Sequence, residues 1–283
     1  MDIKTLQQAP PWDWPPDTGK KLQRILRDRR ANPSDRLIAA ELAGDLTVIN
    51  DELADSLLSI VRTPDEPEQL RAKAAISLGP VLEQADIDGF DDPDDVPITE
   101  RVFRNIRESL QKLFLDTGIP KGVRRKILEA SVRAPGDWHR AAVEVAYASG
   151  DRDWILTAVF SMSWVPGFDK QILEALKSSD SEIHFEAVRA AGNRELEGAW
   201  SHIVSLIKDA RTPKPLLIAA IGAVASIRPA QAGTILVDLA DSEDEEIAEA
   251  ADEAIDLAES LSDDEDEDDE DDDEDEDVSK WTN

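Results

Sequence analysis

The segments RLIAAELAG (residues 36–44) and AKAAISLG (residues 72–79) decide the fold, because their pattern of small and apolar residues recurs along the chain. Related segments are FEAVRAAG (185–192), IAAIGAVAS (218–226) and IAEAADEAIDLA (247–258). Equivalent alanines in these five segments lie 35, 113, 33 and 31 residues apart. The long interval corresponds to about three repeats and some additional residues, so the pattern predicts a repeat with a period in the thirties.

A second apolar segment lies between the alanine-rich ones, as in DELADSLLSIV (51–61), FDKQILEAL (168–176), WSHIVSLIK (200–208) and GTILVDLA (233–240). Prolines at positions 33, 64, 80, 120, 135, 166, 213 and 229 fall between the periodic segments, where helices begin or end. No alternating β-branched run competes with this pattern. The sequence therefore predicts helix pairs, and each pair must pack on its neighbours because it cannot bury its apolar face alone.

This pattern of helix pairs, with an xAAxxLG first helix and turns that contain Asp or Pro, resembles the HEAT and HEAT-like (PBS-lyase type) repeat family over residues 33–261. The resemblance implies an all-α, right-handed α-solenoid, in which one set of helices lines a concave face that grips partners. We expect an elongated arc. A non-repeating bundle of alanine-rich helices is the alternative.

The residues outside the repeats, and one insertion within them, differ in composition. Residues 1–32 contain PPWDWPPDTG (10–19) ahead of a first basic helix, and we expect Trp12 and Trp14 to be buried as a cap on the open end of the array. An exposed peptide-like motif is the alternative. The segment ADIDGFDDPDDVP (85–97) is expected to be an acidic loop, and calcium binding there is disfavoured because both ends lack the required ligand.

The C-terminal segment 262–283 contains fifteen consecutive acidic residues from 263 to 277, which predicts a disordered tail. The chain has a formal net charge of -31, and residues 263–283 carry those fifteen acids and one lysine, so the first 262 residues retain -17. A surface of this sign repels phosphate backbones, which disfavours a nucleic-acid partner. No apolar run reaches membrane-spanning length and no signal peptide is evident, so we expect a cytoplasmic protein without membrane contact.

Two stretches are basic within this acidic chain. Residues 99–140 hold ten Lys or Arg against five acids, and a second cluster lies at residues 20–30. We predict that a partner protein binds Arg101, Arg104, Lys112, Arg124 and Arg125, together with Trp12 and Trp14. We also predict a salt-sensitive contact of the acidic tail with one of these basic stretches. Ordinary charged helix faces and a solubility tail are the alternatives.

The sequence contains few of the residue patterns that are typical of catalytic, metal-binding or phosphate-binding sites. It has no cysteine, no phosphate-binding loop, and three histidines without ligand spacing. HEAT-like deoxyhypusine hydroxylases look recognisable by repeated His-Glu pairs that bind iron, and no such pair occurs here. We therefore expect no catalytic residue, no metal, no cofactor and no enzyme activity. The leading hypothesis is a protein-protein interaction scaffold or adaptor, and the alternative is an accessory subunit of a lyase or protein-modification enzyme that holds a substrate protein or prosthetic group.

Overall fold

The computed structural model describes the backbone of residues 2–92 and 95–271, and the side chains as far as Leu261. The described residues form α-helices joined by short turns, with three short 3-10 helices at Pro11–Asp13, Glu197–Ala199 and Pro229–Gln231. The α-helices are α1 (Ile3–Gln8), α2 (Thr18–Arg27), α3 (Pro33–Leu42), α4 (Asp51–Arg62), α5 (Glu68–Ile76), α6 (Gly79–Asp88), α7 (Glu100–Leu115), α8 (Lys121–Ser131), α9 (Trp138–Ala148), α10 (Arg152–Ser161), α11 (Asp169–Ala175), α12 (Ser181–Asn193), α13 (Trp200–Lys208), α14 (Lys214–Ile227), α15 (Ala232–Ala240) and α16 (Glu245–Asp271).

The fold class predicted from the sequence is confirmed. Residues 2–92 and 95–271 contain no β-strand, and consecutive helices pack as pairs. The chain divides into two compact units, Met1–Thr157 (unit 1) and Ala158–Asn283 (unit 2). Within each unit the pairs stack in two layers, as an α-solenoid requires.

In unit 1, helices α1, α3, α5 and α8 form one layer, with each helix packed on the next. Helices α2, α4 and α7 form the other layer, and each of them packs on the helix that follows it in the first layer. In unit 2, α12, α14 and α16 are stacked in the same way, with α11, α13 and α15 paired to them. The alanine-rich segments that reveal the repeat therefore share one layer within each unit.

Glycines of the repeat motif lie where two neighbouring helices of that layer come closest. A Cβ atom added to Gly44, after α3, would lie 2.2 Å from the backbone oxygen of Ser77 at the end of α5. A Cβ atom added to Gly192 in α12 would lie 3.0 Å from the Cα atom of Ala223 in α14. Only glycine permits so close an approach at Gly44, because the obstacle there is backbone and cannot rotate away.

We expect Gly44→Ala to lower the free energy of unfolding by roughly 1–3 kcal/mol, because the added methyl group overpacks a backbone contact. Gly222→Ala is a matched control, since nothing lies within 4 Å of its added Cβ atom and alanine is the better helix former. Urea unfolding followed by circular dichroism measures both changes. Equal stability of the two variants would show that Gly44 does not set the helix spacing.

A repeated arginine contact marks three successive helix pairs of unit 1. Arg36, Arg71 and Arg124 are each the fourth residue of their helices, α3, α5 and α8. Each donates a hydrogen bond to the carbonyl oxygen ten residues earlier, at 2.9, 3.0 and 2.8 Å respectively. The acceptors, Leu26, Val61 and Phe114, are the next-to-last residues of the preceding helices. The arginines thus satisfy carbonyl groups that a helix end leaves without a partner.

Two boundaries differ from those predicted. Helix α6 continues to Asp88 and packs on α8, so residues 85–88 are helical and the acidic loop begins after them. Burial raises the pKa of Asp86 within this helix. Helix α16 continues to Asp271, so the helical backbone extends beyond Leu261, where the repeats were predicted to end. Residues 272–283 lie outside the described residues, so disorder of that part of the tail stays a prediction.

Candidate functional site

Three of the predicted partner-binding cations lie on the outer face of α7. The side chain of Arg101 is 74% exposed and approaches the Oδ2 atom of Asp51 to 3.6 Å. Arg104 pairs with Glu100, and Lys112 lies 3.7 Å from Glu108. Exposed pairs of this kind contribute little stability, so these cations remain free to exchange partners.

The net charge of the stretch 99–140 is largely offset in the folded chain. Lys121 lies 2.8 Å from Asp151 and 2.9 Å from Asp153, which raises its pKa and lowers the pKa of both carboxyl groups through the hydrogen bonds. Acids from outside the stretch also pair with other cations, as in Arg101–Asp51, Arg133–Glu83 and Arg140–Glu144. The surface is therefore less cationic than the sequence indicates.

Arg125 is held inside the packing of α8 against α10. Its side chain is only 15% exposed, and its Nε atom donates to the Oγ1 atom of Thr157 at 2.9 Å. Thr157 in turn donates to Glu129 at 2.6 Å. This network joins two helices of unit 1, so the surroundings of Arg125 are those of a structural residue rather than of an open surface.

The two tryptophans of the N-terminal segment have different environments, and burial of Trp12 is a wrong prediction. Trp12 is 81% exposed and lies in the short 3-10 helix Pro11–Asp13, which begins at a proline. Trp14 is half-buried and its Nε1 atom donates to the carbonyl oxygens of Leu6 and Ala9 at 3.0 Å each. Helix α1 covers α3 instead, through the buried side chains of Ile3 and Leu6.

A groove with a volume of about 490 Å³ opens on unit 1. The C-terminal end of α7 provides one wall, α8 provides Arg124, and the first turn of α10 provides Trp154. One face of α9 forms the floor. The lining residues are Phe114, Leu115, Arg124, Trp138, Ala141, Ala142, Val145, Ala146, Ser149 and Trp154.

The groove presents apolar side chains to solvent. Val145 is 73% exposed and Leu115 is 63% exposed, although both are large aliphatic residues. The Phe114 ring lies 5.2 Å from the Trp138 ring and packs edge-on against the Trp154 ring at 6.2 Å. Rigid aromatic walls next to exposed aliphatic residues are typical of surfaces that bind another molecule.

Arg124 is the cation within this groove. Its guanidinium carbon lies 5.2 Å from the centre of the Phe114 ring and 5.6 Å from the centre of the Trp154 ring. The hydrogen bond from its Nε atom to Phe114 fixes the side chain in this position. Of the five predicted cations, Arg124 is the one that the structure brings together with the tryptophans of the groove.

The sequence does not reveal the groove, because Trp138 and Trp154 lie in the first turns of apolar helices, where tryptophan side chains usually pack in the core. The residues from Trp138 to Ser149 that line the groove follow helical spacing, which by itself does not separate an open face from a buried one. Val145 is the residue that could have indicated the groove. It is large and apolar, and it lies on the face of the short helix α9 opposite the buried Val143.

The histidines lie closer to other polar side chains in the structure than their spacing in the sequence indicates. His139 is buried, accepts from the backbone N–H of Gly136 at 2.9 Å through Nδ1, and places Nε2 3.0 Å from the Oγ atom of Ser131. In unit 2, the Nε2 atoms of His184 and His202 lie 2.8 Å apart, and burial lowers the pKa of both. Within residues 2–92 and 95–271, no group of three or more potential ligands is positioned to hold a metal ion.

Fold and groove together define this chain as an α-helical repeat protein. No protein-family model and no curated protein matches it. Among solved structures it is similar to YibA of Escherichia coli, with 17% identity over 84% of this chain and 81% of that one and a TM-score of 0.42. Human deoxyhypusine hydroxylase in complex with glycerol has 16% identity over 91% and 88%, with a TM-score of 0.40. An engineered protein has 18% identity over 86% and 97%, with a TM-score of 0.33.

The prediction that this chain is not an enzyme is corrected by this comparison. One of the similar structures is an enzyme, deoxyhypusine hydroxylase, so a helical array of this kind does not exclude catalysis. The likeness concerns the fold alone and assigns no reaction to this chain.

None of the described helices is by itself both long enough and apolar enough to cross a membrane. The pair Lys214–Ile227 and Pro229–Ala240 reaches the required length and composition only together, with a bend of 118° between its two parts.

Proposed function

We propose that this chain is a protein-binding scaffold that holds a segment of another polypeptide in the groove of unit 1. The observation that carries the proposal is the exposure of Leu115 and Val145 beside the rings of Trp138 and Trp154. Covering these side chains would remove apolar surface from water, which favours association by about 25 cal/mol for each Å² buried.

The groove has the dimensions of a peptide site rather than of a flat interface. Its volume of about 490 Å³ accommodates a few side chains of a bound segment. The small residues Ala141 and Ala142 on α9 let a backbone approach closely, while the tryptophans supply large contact areas with few rotatable bonds. The exposed cations Arg101, Arg104 and Lys112 on α7 are proposed to contact parts of the partner outside the groove.

A displayed library of random peptides, selected on the immobilised full-length chain, tests this function. Val145→Glu and Leu115→Glu place a charge on the apolar wall, and both positions are exposed, so the fold is expected to remain intact. Val237→Glu and Ile87→Glu are matched controls, because those side chains are 52% and 75% exposed and lie outside the groove.

We expect selected peptides to bind the wild-type chain and both control variants equally, and to bind each groove variant at least about tenfold more weakly. Burying one charge against apolar walls costs more than the 1.4 kcal/mol that a tenfold change in affinity represents. Peptides that bind the groove variants as well as the wild type would show that the groove is not the binding site.

A further inference from the structure

The charge of the ligand follows from the position of Arg124. Aromatic pockets can hold a cation over their ring faces, but the guanidinium group of Arg124 already lies over Phe114 and Trp154, at 5.2 and 5.6 Å. A second cation placed there would be repelled. The groove therefore excludes lysine-like or methylammonium ligands and favours a group of negative charge.

Arg124 also has hydrogen-bonding capacity to spare. Its Nε atom donates to the carbonyl oxygen of Phe114, and within the part of the chain that the structure describes no acceptor pairs with its two terminal nitrogens. Carboxylates near the groove are already engaged, since Asp151 pairs with Lys121 and Glu144 pairs with Arg140. A planar guanidinium group with two open donors matches one incoming carboxylate in bidentate geometry.

We propose that the groove recognises an acidic segment with an aromatic anchor, in which a carboxylate pairs with Arg124 and the aromatic side chain packs between α9 and Trp154. This inference rests on the proposed function and specifies the chemistry of the partner. A single carboxylate is sufficient, because Arg124 is the one open cation among the described residues that line the groove.

A nucleic acid presents anionic and aromatic groups as well, but it fits less well. Its affinity depends on several phosphate contacts made at once, and the cations near Arg124 are paired with acids. The first 262 residues also carry a net charge of -17, which repels an extended polyanion. A peptide with one or a few carboxylates meets less of this repulsion.

The chain contains this combination of residues in its own sequence. Residues 274–283 read EDEDVSKWTN, with Asp277 and Val278 followed by Trp281. Because the segment joins consecutive carboxylates to one aromatic residue, a synthetic peptide of this sequence is a suitable probe of the proposed chemistry.

Fluorescence anisotropy of the labelled peptide 274–283, titrated with the full-length chain, tests the proposal. We expect a dissociation constant near or below about 0.1 mM, consistent with one anchor and one charged hydrogen bond. Replacing Trp281 of the peptide with alanine, or its four acids with the corresponding amides, should weaken binding at least about tenfold each. Val145→Glu in the chain should do the same, whereas Val237→Glu should have no effect.

Salt dependence separates this mode from attraction by charge alone. At 0.5 M salt the Debye length is roughly 4 Å, so an anchored peptide keeps most of its affinity while a purely electrostatic contact is lost. Loss of binding at that salt concentration, or equal binding of the amide peptide, would overturn the proposal. So would a poly-dT oligonucleotide that binds the groove more tightly than the peptide does.

Failure of this inference and failure of the proposed function give different results. If the random library yields groove-dependent peptides that lack carboxylates, the scaffold function stands and the inferred ligand chemistry is wrong. If neither the library nor the peptide 274–283 distinguishes Val145→Glu from Val237→Glu, both are wrong.

Discussion

Arg36→Ala is expected to lower the free energy of unfolding of unit 1 by roughly 3–5 kcal/mol. Arg36 and Glu66 are 5% and 9% exposed, and their two hydrogen bonds measure 2.6 and 3.0 Å. The guanidinium group also donates to the carbonyl oxygen of Leu26 at 2.9 Å. Alanine at position 36 removes these contacts, and among the described residues the buried Glu66 carboxylate then keeps only the more exposed Arg29 as a nearby cation, at 3.4 Å.

Urea unfolding followed by circular dichroism at pH 7 measures the effect, and Arg29→Ala is the control. The Arg29 side chain is 63% exposed, so its removal should cost less than about 1 kcal/mol. The double variant Arg36→Met with Glu66→Leu removes both charges, and it should be more stable than Arg36→Ala because no isolated charge remains. A loss of less than about 1 kcal/mol for Arg36→Ala would show that this pair does not hold α3 to its neighbours.

The repeat architecture could be predicted because its signals are local in the sequence. Ala39 and Ala74 are 35 residues apart and Ala187 and Ala220 are 33 residues apart, and in the structure all four are fully buried within one layer of each unit. The arginine contacts could also have been found, since Arg71 and Arg124 each follow a proline by four residues. Such a period can be recognised in the sequence without knowing which helices contact each other.

The binding surface could not be predicted in the same way, because it depends on contacts between distant residues. The basic stretch around α7 and α8 loses much of its net charge to Asp51, Glu83 and Asp151, which lie outside it in sequence. Trp138 lines a groove instead of the core because of the placement of α7 and α10 around α9. No local pattern specifies such placement.

The contact between His184 and His202 likewise depends on residues that are distant in the sequence. The two residues are eighteen positions apart and on different helices, so their spacing does not match a ligand motif, yet their Nε2 atoms lie 2.8 Å apart. Two imidazole rings at that distance can share one hydrogen bond only if one donates and the other accepts. His184 lies on α12 and His202 on α13, so the contact joins two successive helix pairs of unit 2.

Unit 1 is expected to lose roughly 3 kcal/mol of stability between pH 7 and pH 4 through His139 alone. Burial, together with the charge of Arg107, lowers the pKa of His139 from its usual 6.5 to about 4. As the pH falls below 6.5 the unfolded chain takes up a proton while the folded chain does not, so stability decreases until the folded state is also protonated near pH 4. Above pH 6.5 both states are neutral and the contribution is constant.

Hydrogen exchange of the α8 and α9 amides, measured from pH 7 to pH 4 and corrected for the intrinsic exchange rate, follows this change. His139→Asn retains an acceptor for the N–H of Gly136 and does not titrate, so its stability should be lower at pH 7 and nearly independent of pH down to 4.5. Below that value Glu66, whose pKa Arg36 lowers through its hydrogen bonds, adds its own loss in both proteins, and the difference between them removes it. His184→Asn is the matched control, because His184 lies in unit 2 and its replacement should leave the pH dependence of α8 and α9 unchanged. An equal slope in the wild type and in His139→Asn would place the acid sensitivity of unit 1 in its carboxylates rather than in its buried imidazole.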